Sequence, residues 1–260
     1  MKTALLIDGD IIAYKHAAGS ETPIDWGDDL WTLHTDVKMA AHQMEIDIKE
    51  IVVRLKADKT VMALSDKENF RRRIDETYKA SRKKSRKPIG LPSLRQCLLD
   101  KWDAVVIPEL EADDVLGIWA TDKEFLPGYR KIIVSIDKDM KTLPCELYNP
   151  SKTELGVQKI TLKSADRFHL FQTLVGDSTD GYQGCPTIGP SRAERLLDTD
   201  CSWEAVVAAY KQQQLQEKDA LQQARLAKIL RSDNYCMRTG TIKHWIPNEN
   251  HSPERKEEKR

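Results

Sequence analysis

A chain of 260 residues that is 40% hydrophobic and 32% charged can bury a sizeable core, as one domain or two closely joined ones. Its 41 Lys and Arg balance 41 Asp and Glu, so bulk charge points to no nucleic-acid partner, and five scattered cysteines without a CxxC pair argue against zinc sites and disulfides and for a reducing cytosol. The apolar opening of the chain stops at an acid too early for a signal peptide and no apolar stretch reaches membrane-spanning length, so a cytoplasmic protein without a membrane partner is expected.

Four short apolar runs follow in order: ALLI at 4–7, TVMAL at 60–64, AVVI at 104–107 and KIIVSI at 131–136. Each is continuous rather than alternating, and most are rich in β-branched residues, as in strands buried on both faces of a parallel sheet. Stretches of helical character lie between them at 36–56, 91–102 and 113–125, so residues 1–160 are expected to form an α/β core with a basic insertion at 67–92. Beyond about residue 160 strand-like runs fade, and helical patterns take over at 163–175, 189–197 and a Gln-rich stretch from Trp203 to about Leu230. A helical region over 161–250, packed on the sheet domain, is expected. The final HSPERKEEKR at 251–260 has nothing apolar to bury and is expected to be disordered.

Acids follow every one of the four runs. Asp8 and Asp10 come after the first, Asp66 after the second, Glu111, Asp113 and Asp114 after the third, Asp137 and Asp139 after the fourth. Ligands of an open parallel sheet bind beyond the carboxyl ends of its strands, so these acids can converge on one edge. A fifth group, Asp177 and Asp180 in GDSTDG, is spaced to put both carboxylates on one side of a helical turn. A single acid before a helix is most simply a cap. Two like charges about 4 Å apart, however, repel by roughly 4 kcal/mol at an effective dielectric near 20, so a shared bowl of seven or more needs positive charge. All-oxygen ligands without His or Cys suit hard divalent ions such as Mg²⁺ or Mn²⁺.

The positive counterpart is the stretch 67–87, KENFRRRIDETYKASRKKSRK, with ten Lys and Arg against Glu68, Asp75 and Glu76, a surplus of seven positive charges in a neutral chain. Such a run is ordinarily a solvated face. Placed directly after an acid-tipped strand it can arch over the bowl and bring a polyanion to bound cations. Phe70 and Tyr78 within it either stack on unpaired bases or pack the segment against the sheet. Downstream of Asp180, GCPTIGPSRAERLL makes a glycine turn at Gly184 and Gly189 that opens a helix with Arg192 and Arg195 near its start, a geometry that grips phosphate without reading sequence.

Together IDGD at 7–10, Asp66, YKASR at 78–82, EADD at 111–114, DKD at 137–139, GDSTD at 176–180 and GCPTIG at 184–189 resemble the 5′ nuclease superfamily of flap endonucleases and 5′-to-3′ exonucleases, most of all its bacteriophage branch. The resemblance implies a PIN-like, Rossmann-like parallel-sheet nuclease core, a flexible basic arch and a helix-two-turn-helix that grips duplex DNA. It implies two Mg²⁺ or Mn²⁺ ions, the first held by Asp8, Asp66, Glu111 and Asp113, the second by Asp139, Asp177 and Asp180, with Asp114 and Asp137 between or behind them. Catalytic roles fall to Lys79, Arg82, Asp113 and Asp139, and DNA contacts to Tyr78, Lys79, Arg82, Lys83, Lys84, Arg86, Gly184, Gly189 and Arg192. The implied substrate is DNA with a 5′ end, as duplex, flap or RNA–DNA hybrid, cut by a monomer in the cytoplasm of a host cell if the source is a phage. Asp10 is extra relative to many members, and the segment after 200 matches no motif.

Two rival readings remain at the level of sequence. A phosphatase with an aspartyl nucleophile also opens on a strand followed by DxD, but has no use for EADD or the basic insertion. A non-catalytic DNA-binding protein with structural ions accounts for the acids without hydrolysis.

Overall fold

The computed structural model describes residues 1–247, excepting the side chains of Lys83 and Lys84; the segment 251–260, expected to be disordered, lies outside the described residues. Its centre is a six-stranded sheet built on β1 (Lys2–Asp8), β4 (Lys59–Leu64), β5 (Val105–Val106), β6 (Tyr129–Val134), β7 (Glu146–Tyr148) and β8 (Val157–Lys159), in the order β5-β4-β1-β6-β7-β8. All neighbours pair in parallel except β7 with β8. The continuous apolar runs are explained by burial on both faces. Leu5 and Ile7 of β1 enter one core with Met62, Leu64, Ile132 and Val134, while Leu6 enters the other with Ala63 and Ile133.

The first face is covered by α1 (Gly9–Gly19), α2 (Val37–Arg54) and α3 (Leu91–Lys101), the second chiefly by α4 (Ala112–Thr121). Ala40, Met44 and Ile48 give α2 a buried stripe at four-residue spacing, and Asp36 caps it by accepting from the Met39 N–H at 3.0 Å. Between α1 and α2 a hairpin of β2 (Glu21–Asp25) and β3 (Trp31–Thr35) projects from the core. Its polar, largely exposed strands have no continuous apolar run, so sequence periodicity did not disclose it.

The helical region contains α5 (Leu162–Val175), α6 (Pro190–Thr199), α7 (Trp203–Gln212) and α8 (Glu217–Ala227), followed by a short hairpin of β9 (Tyr235–Cys236) and β10 (Thr241–Ile242). The Gln-rich stretch expected as one helical block is two helices, broken where Gln214 takes a left-handed φ of 61° and Gln216 caps α8. That break lets both helices pack on α5 around Trp203, Val206, Tyr210, Ala220 and Ala224. After α8 the chain returns to the sheet domain, where Ile229 and Leu230 join the α4 core. Gly117, in the middle of α4, makes this possible: a Cβ there would lie 2.3 Å from the Leu230 carbonyl oxygen.

Candidate active site

The carboxyl ends of β1, β4 and β6, the start of α4 and the turn after α5 meet at one edge, as the acid pattern predicts. Asp8 ends β1, is 2% exposed, caps α1 through the Ile11 N–H at 3.2 Å and accepts from the Ser135 hydroxyl at 3.1 Å. Asp66 accepts from the backbone N–H groups of Lys67 (2.7 Å) and Glu109 (2.8 Å), which fixes the loop between β4 and α4. Asp137 and Asp139 follow β6, with Asp137 capping the Asp139 N–H at 2.8 Å and Asp139 accepting from Gln172 Nε2 at 2.6 Å. In the turn after α5, Asp177 accepts from the Thr179 N–H at 2.8 Å and from Lys138 Nζ at 2.6 Å.

The basic segment 67–87 supplies cations to these acids. Lys79, held in a left-handed conformation (φ 54°) by its own N–H on the Asp180 carbonyl at 2.7 Å, places Nζ 2.5 Å from Glu111 and 3.3 Å from Asp180. Arg82 reaches Asp180 at 2.5 Å, and the Tyr78 hydroxyl lies 3.1 Å from both Glu111 and Asp180. Tyr78 is 3% exposed and Phe70 1%, so the packing alternative holds for both aromatics: they anchor the arch. This corrects the expected DNA contact at Tyr78.

Other expected members of the site have different partners. Asp114 is fully buried; both its oxygens accept from Arg71, at 2.7 and 2.8 Å, and from the Leu230 and Glu111 N–H groups, so it holds the fold and is not free to ligate. Arg86, itself largely exposed, forms a bidentate ion pair with Glu21 at the base of the hairpin, with both hydrogen bonds at 2.7 Å. Asp10 pairs with Arg95 and accepts from the Ser65 N–H at 2.7 Å, tying α1 to the end of β4 and to α3. The Gly184 N–H donates to Gln223 at 2.9 Å rather than facing solvent; Gly184 and Gly176 pack so closely that a Cβ on either would collide with the backbone of the other's turn. Gly189 opens α6 with free space around its Cα, and Arg192 is exposed in the first turn. The side chains of Lys83 and Lys84 lie outside the described residues.

Burial and crowding set the charge state. Burial, reinforced by Asp137, pushes Asp8 up to about 6 and Asp139 up to about 7. Asp113 is raised well above the carboxylate range by burial, then by Asp8 and Asp137. Glu111 goes the other way: burial would raise it, but Lys79 and Arg71 hold it at about 2. For Asp177, too, burial acts upward, yet Lys138 draws it down. A carboxyl raised in the folded protein favours folding when protonated, so the contribution of Asp8 and Asp139 is present at low pH and lost as pH rises through about 6 to 7, and the raised Asp113 acts in the same direction. Glu111 contributes above the usual range and loses that only as pH falls toward 2. The metal-free protein is therefore expected to melt higher near about pH 5.5 than near about pH 8, with Mg²⁺ or Mn²⁺ restoring the difference at the higher pH. Scanning calorimetry in EDTA checks this; a melting temperature that rises with pH across that window and ignores millimolar metal would contradict it.

Among the described residues no three acids stand in finished coordination around a single point. The donor set nonetheless fits hard divalent cations: it offers carboxylate oxygens only, and the mutual repulsion of Asp8, Asp113 and Asp137 leaves them short of positive charge. Sequence reasoning missed Arg71, Lys138 and Gln172. Lys138 was within the DKD motif, Arg71 was indistinguishable from its neighbours in the charge run, and Gln172 carried no signal.

A family of 5′-3′ exonuclease N-terminal, resolvase-like domains matches residues 3–164. The chain is similar to an exodeoxyribonuclease of Enterobacteria phage T3, 28% identical with 95% of this chain and 93% of that protein covered. It is similar also to an exonuclease of Escherichia phage T7, at 29% identity with 95% and 94% covered. Among solved structures it is similar to a bacteriophage T5 flap endonuclease in a pseudo-enzyme-product complex with DNA and metal ions, with a TM-score of 0.68, 12% identity, and 88% and 89% of the two chains covered. That last likeness concerns the fold.

Proposed function

Because this chain belongs to the 5′-3′ exonuclease family through its N-terminal, resolvase-like domain, we propose that it hydrolyses DNA phosphodiester bonds at or near 5′ ends, as a monomer with two Mg²⁺ ions. It is an enzyme of the 5′-3′ exonuclease and flap endonuclease type. The observation that carries the reading is the convergence of acids from five segments beneath Lys79, whose Nζ contacts Glu111 and lies 3.3 Å from Asp180. Asp8, Asp66, Glu111 and Asp113 would hold one ion and Asp139, Asp177 and Asp180 the other, with Asp137 between them; Asp114 is excluded by Arg71. When bound, such ions supply Lewis acidity to phosphate oxygens and acidify water.

The chain's own residues do the rest. Lys79 and Arg82 carry positive charge to the place where the attacked phosphate gathers negative charge. The Tyr78 hydroxyl, 3.1 Å from both Glu111 and Asp180, ties the arch to the acids. The turn between α5 and α6, with Gly189 and Arg192, would follow a duplex backbone in the manner of a helix-two-turn-helix. Asp8, with one oxygen on Ile11 and the other on Ser135, is poorly disposed as a nucleophile, which weighs against the phosphatase reading.

Capture of a 5′ strand by the arch entails steep salt dependence and little dependence on sequence, because each phosphate neutralised releases counterions. Replacing Arg82, Lys83, Lys84 and Lys87 together by Ala is expected to flatten the slope of log Kd against log salt by about two to four and to leave the fold intact. Equilibrium binding of end-labelled DNA between about 50 and 200 mM salt tests this. An unchanged slope in the folded variant would remove the arch from substrate capture.

A further inference from the structure

Gln172 lies in the last turn of α5 and is 3% exposed. Its Nε2 donates to Asp139 at 2.6 Å, while its Oε1 is buried with no hydrogen-bond partner. A buried amide with half its hydrogen-bonding capacity unused is disfavoured against an apolar side chain of the same size, so packing alone does not account for glutamine here. The amide is oriented by Asp139 itself, since turning it over would set oxygen against a carboxylate. The helix beneath it is fixed: the Tyr210 hydroxyl of α7 donates to the Thr173 carbonyl at 2.6 Å, and the Gly176 N–H closes the helix on the Gln172 carbonyl at 2.8 Å. The same turn leads directly into Asp177.

We propose that Gln172 is a positioning residue for the second cation site: it holds one oxygen of Asp139 and, through the end of α5, sets that carboxylate relative to Asp177 and Asp180. The assignment rests on the proposed metal site. Outer partners of ligating carboxylates fix orientation, and their loss ordinarily costs tenfold to a hundredfold in metal affinity. Nothing in the sequence motifs marks this residue.

The test compares Gln172→Met, which keeps volume and removes the donor, with Gln172→Asn, which keeps the amide but falls one methylene short. Mn²⁺ binding to the DNA-free protein is measured by titration calorimetry, with melting temperature in EDTA and the Mn²⁺ dependence of cleavage recorded in parallel. The expected result is a weaker Mn²⁺ step, by about tenfold or more, with turnover recovering at high Mn²⁺ and the metal-free melting temperature little changed. Either folded variant binding Mn²⁺ as the parent does overturns the proposal, whatever its stability. If the parent itself binds no Mn²⁺, the metal-site reading fails, a result distinct from failure of the role of Gln172.

Discussion

Asp113→Asn and Asp177→Asn are each expected to lower turnover by about two to three orders of magnitude at saturating Mg²⁺, several kcal/mol of transition-state stabilisation at roughly 1.4 per tenfold, with much smaller effects on DNA binding. The two should part company in stability. Asp113 is held above the carboxylate range by burial and by Asp8 and Asp137, so its neutralisation relieves repulsion and should raise the metal-free melting temperature. Asp177 pairs with Lys138 at 2.6 Å, so its neutralisation should leave stability unchanged or slightly reduced. Single-turnover cleavage together with melting in EDTA reads both effects. More than about a tenth of parental turnover in both variants would place the chemistry elsewhere.

Arg71→Ala should produce a large loss of stability. The guanidinium is 2% exposed and makes two bonds to Asp114, one to Glu111, and one each to the Leu226 (3.0 Å) and Lys228 (2.5 Å) carbonyls. Its removal leaves Asp114 as an uncompensated buried charge, which costs roughly 3 to 5 kcal/mol. That is a large part of the about 5 to 15 kcal/mol that holds an ordinary domain. Pairing Arg71→Met with Asp114→Leu should recover much of the stability, because the buried charge is gone. Activity should stay low, since Glu111 has lost a partner that orients it. Urea unfolding of the single and double variants checks the first claim; a single variant within about 1 kcal/mol of the parent would contradict it.

What the sequence disclosed and what it hid follow from the same physics. Strand-end acids were legible because each follows a continuous apolar run, and the edge of a parallel sheet collects whatever follows its strands. Asp113 and Asp114 were not separable, because adjacent helical positions point about 100° apart. One therefore faces the acids and the other the core. The basic insertion was legible as net charge, but charge counting treats Arg71, Arg72 and Arg73 alike, and only Arg71 is buried. Tyr78 and Phe70 were left between two roles because an aromatic residue in a cationic stretch serves either. Asp10, two residues after Asp8, shares the motif but not the bowl, since helix α1 turns it toward Arg95. The β2–β3 hairpin escaped because it buries little.

Cleavage of DNA from its 5′ end by these acids and the arch above them is the activity proposed for this chain. It is tested most directly by digesting one linear duplex, labelled at either the 5′ or the 3′ terminus, beside its closed circular counterpart, in Mg²⁺ and in EDTA. Soluble nucleotides are expected only in Mg²⁺, with the 5′ label released first and the closed circle spared. First release of the 3′ label, or equal cutting of circle and linear duplex, would contradict the account.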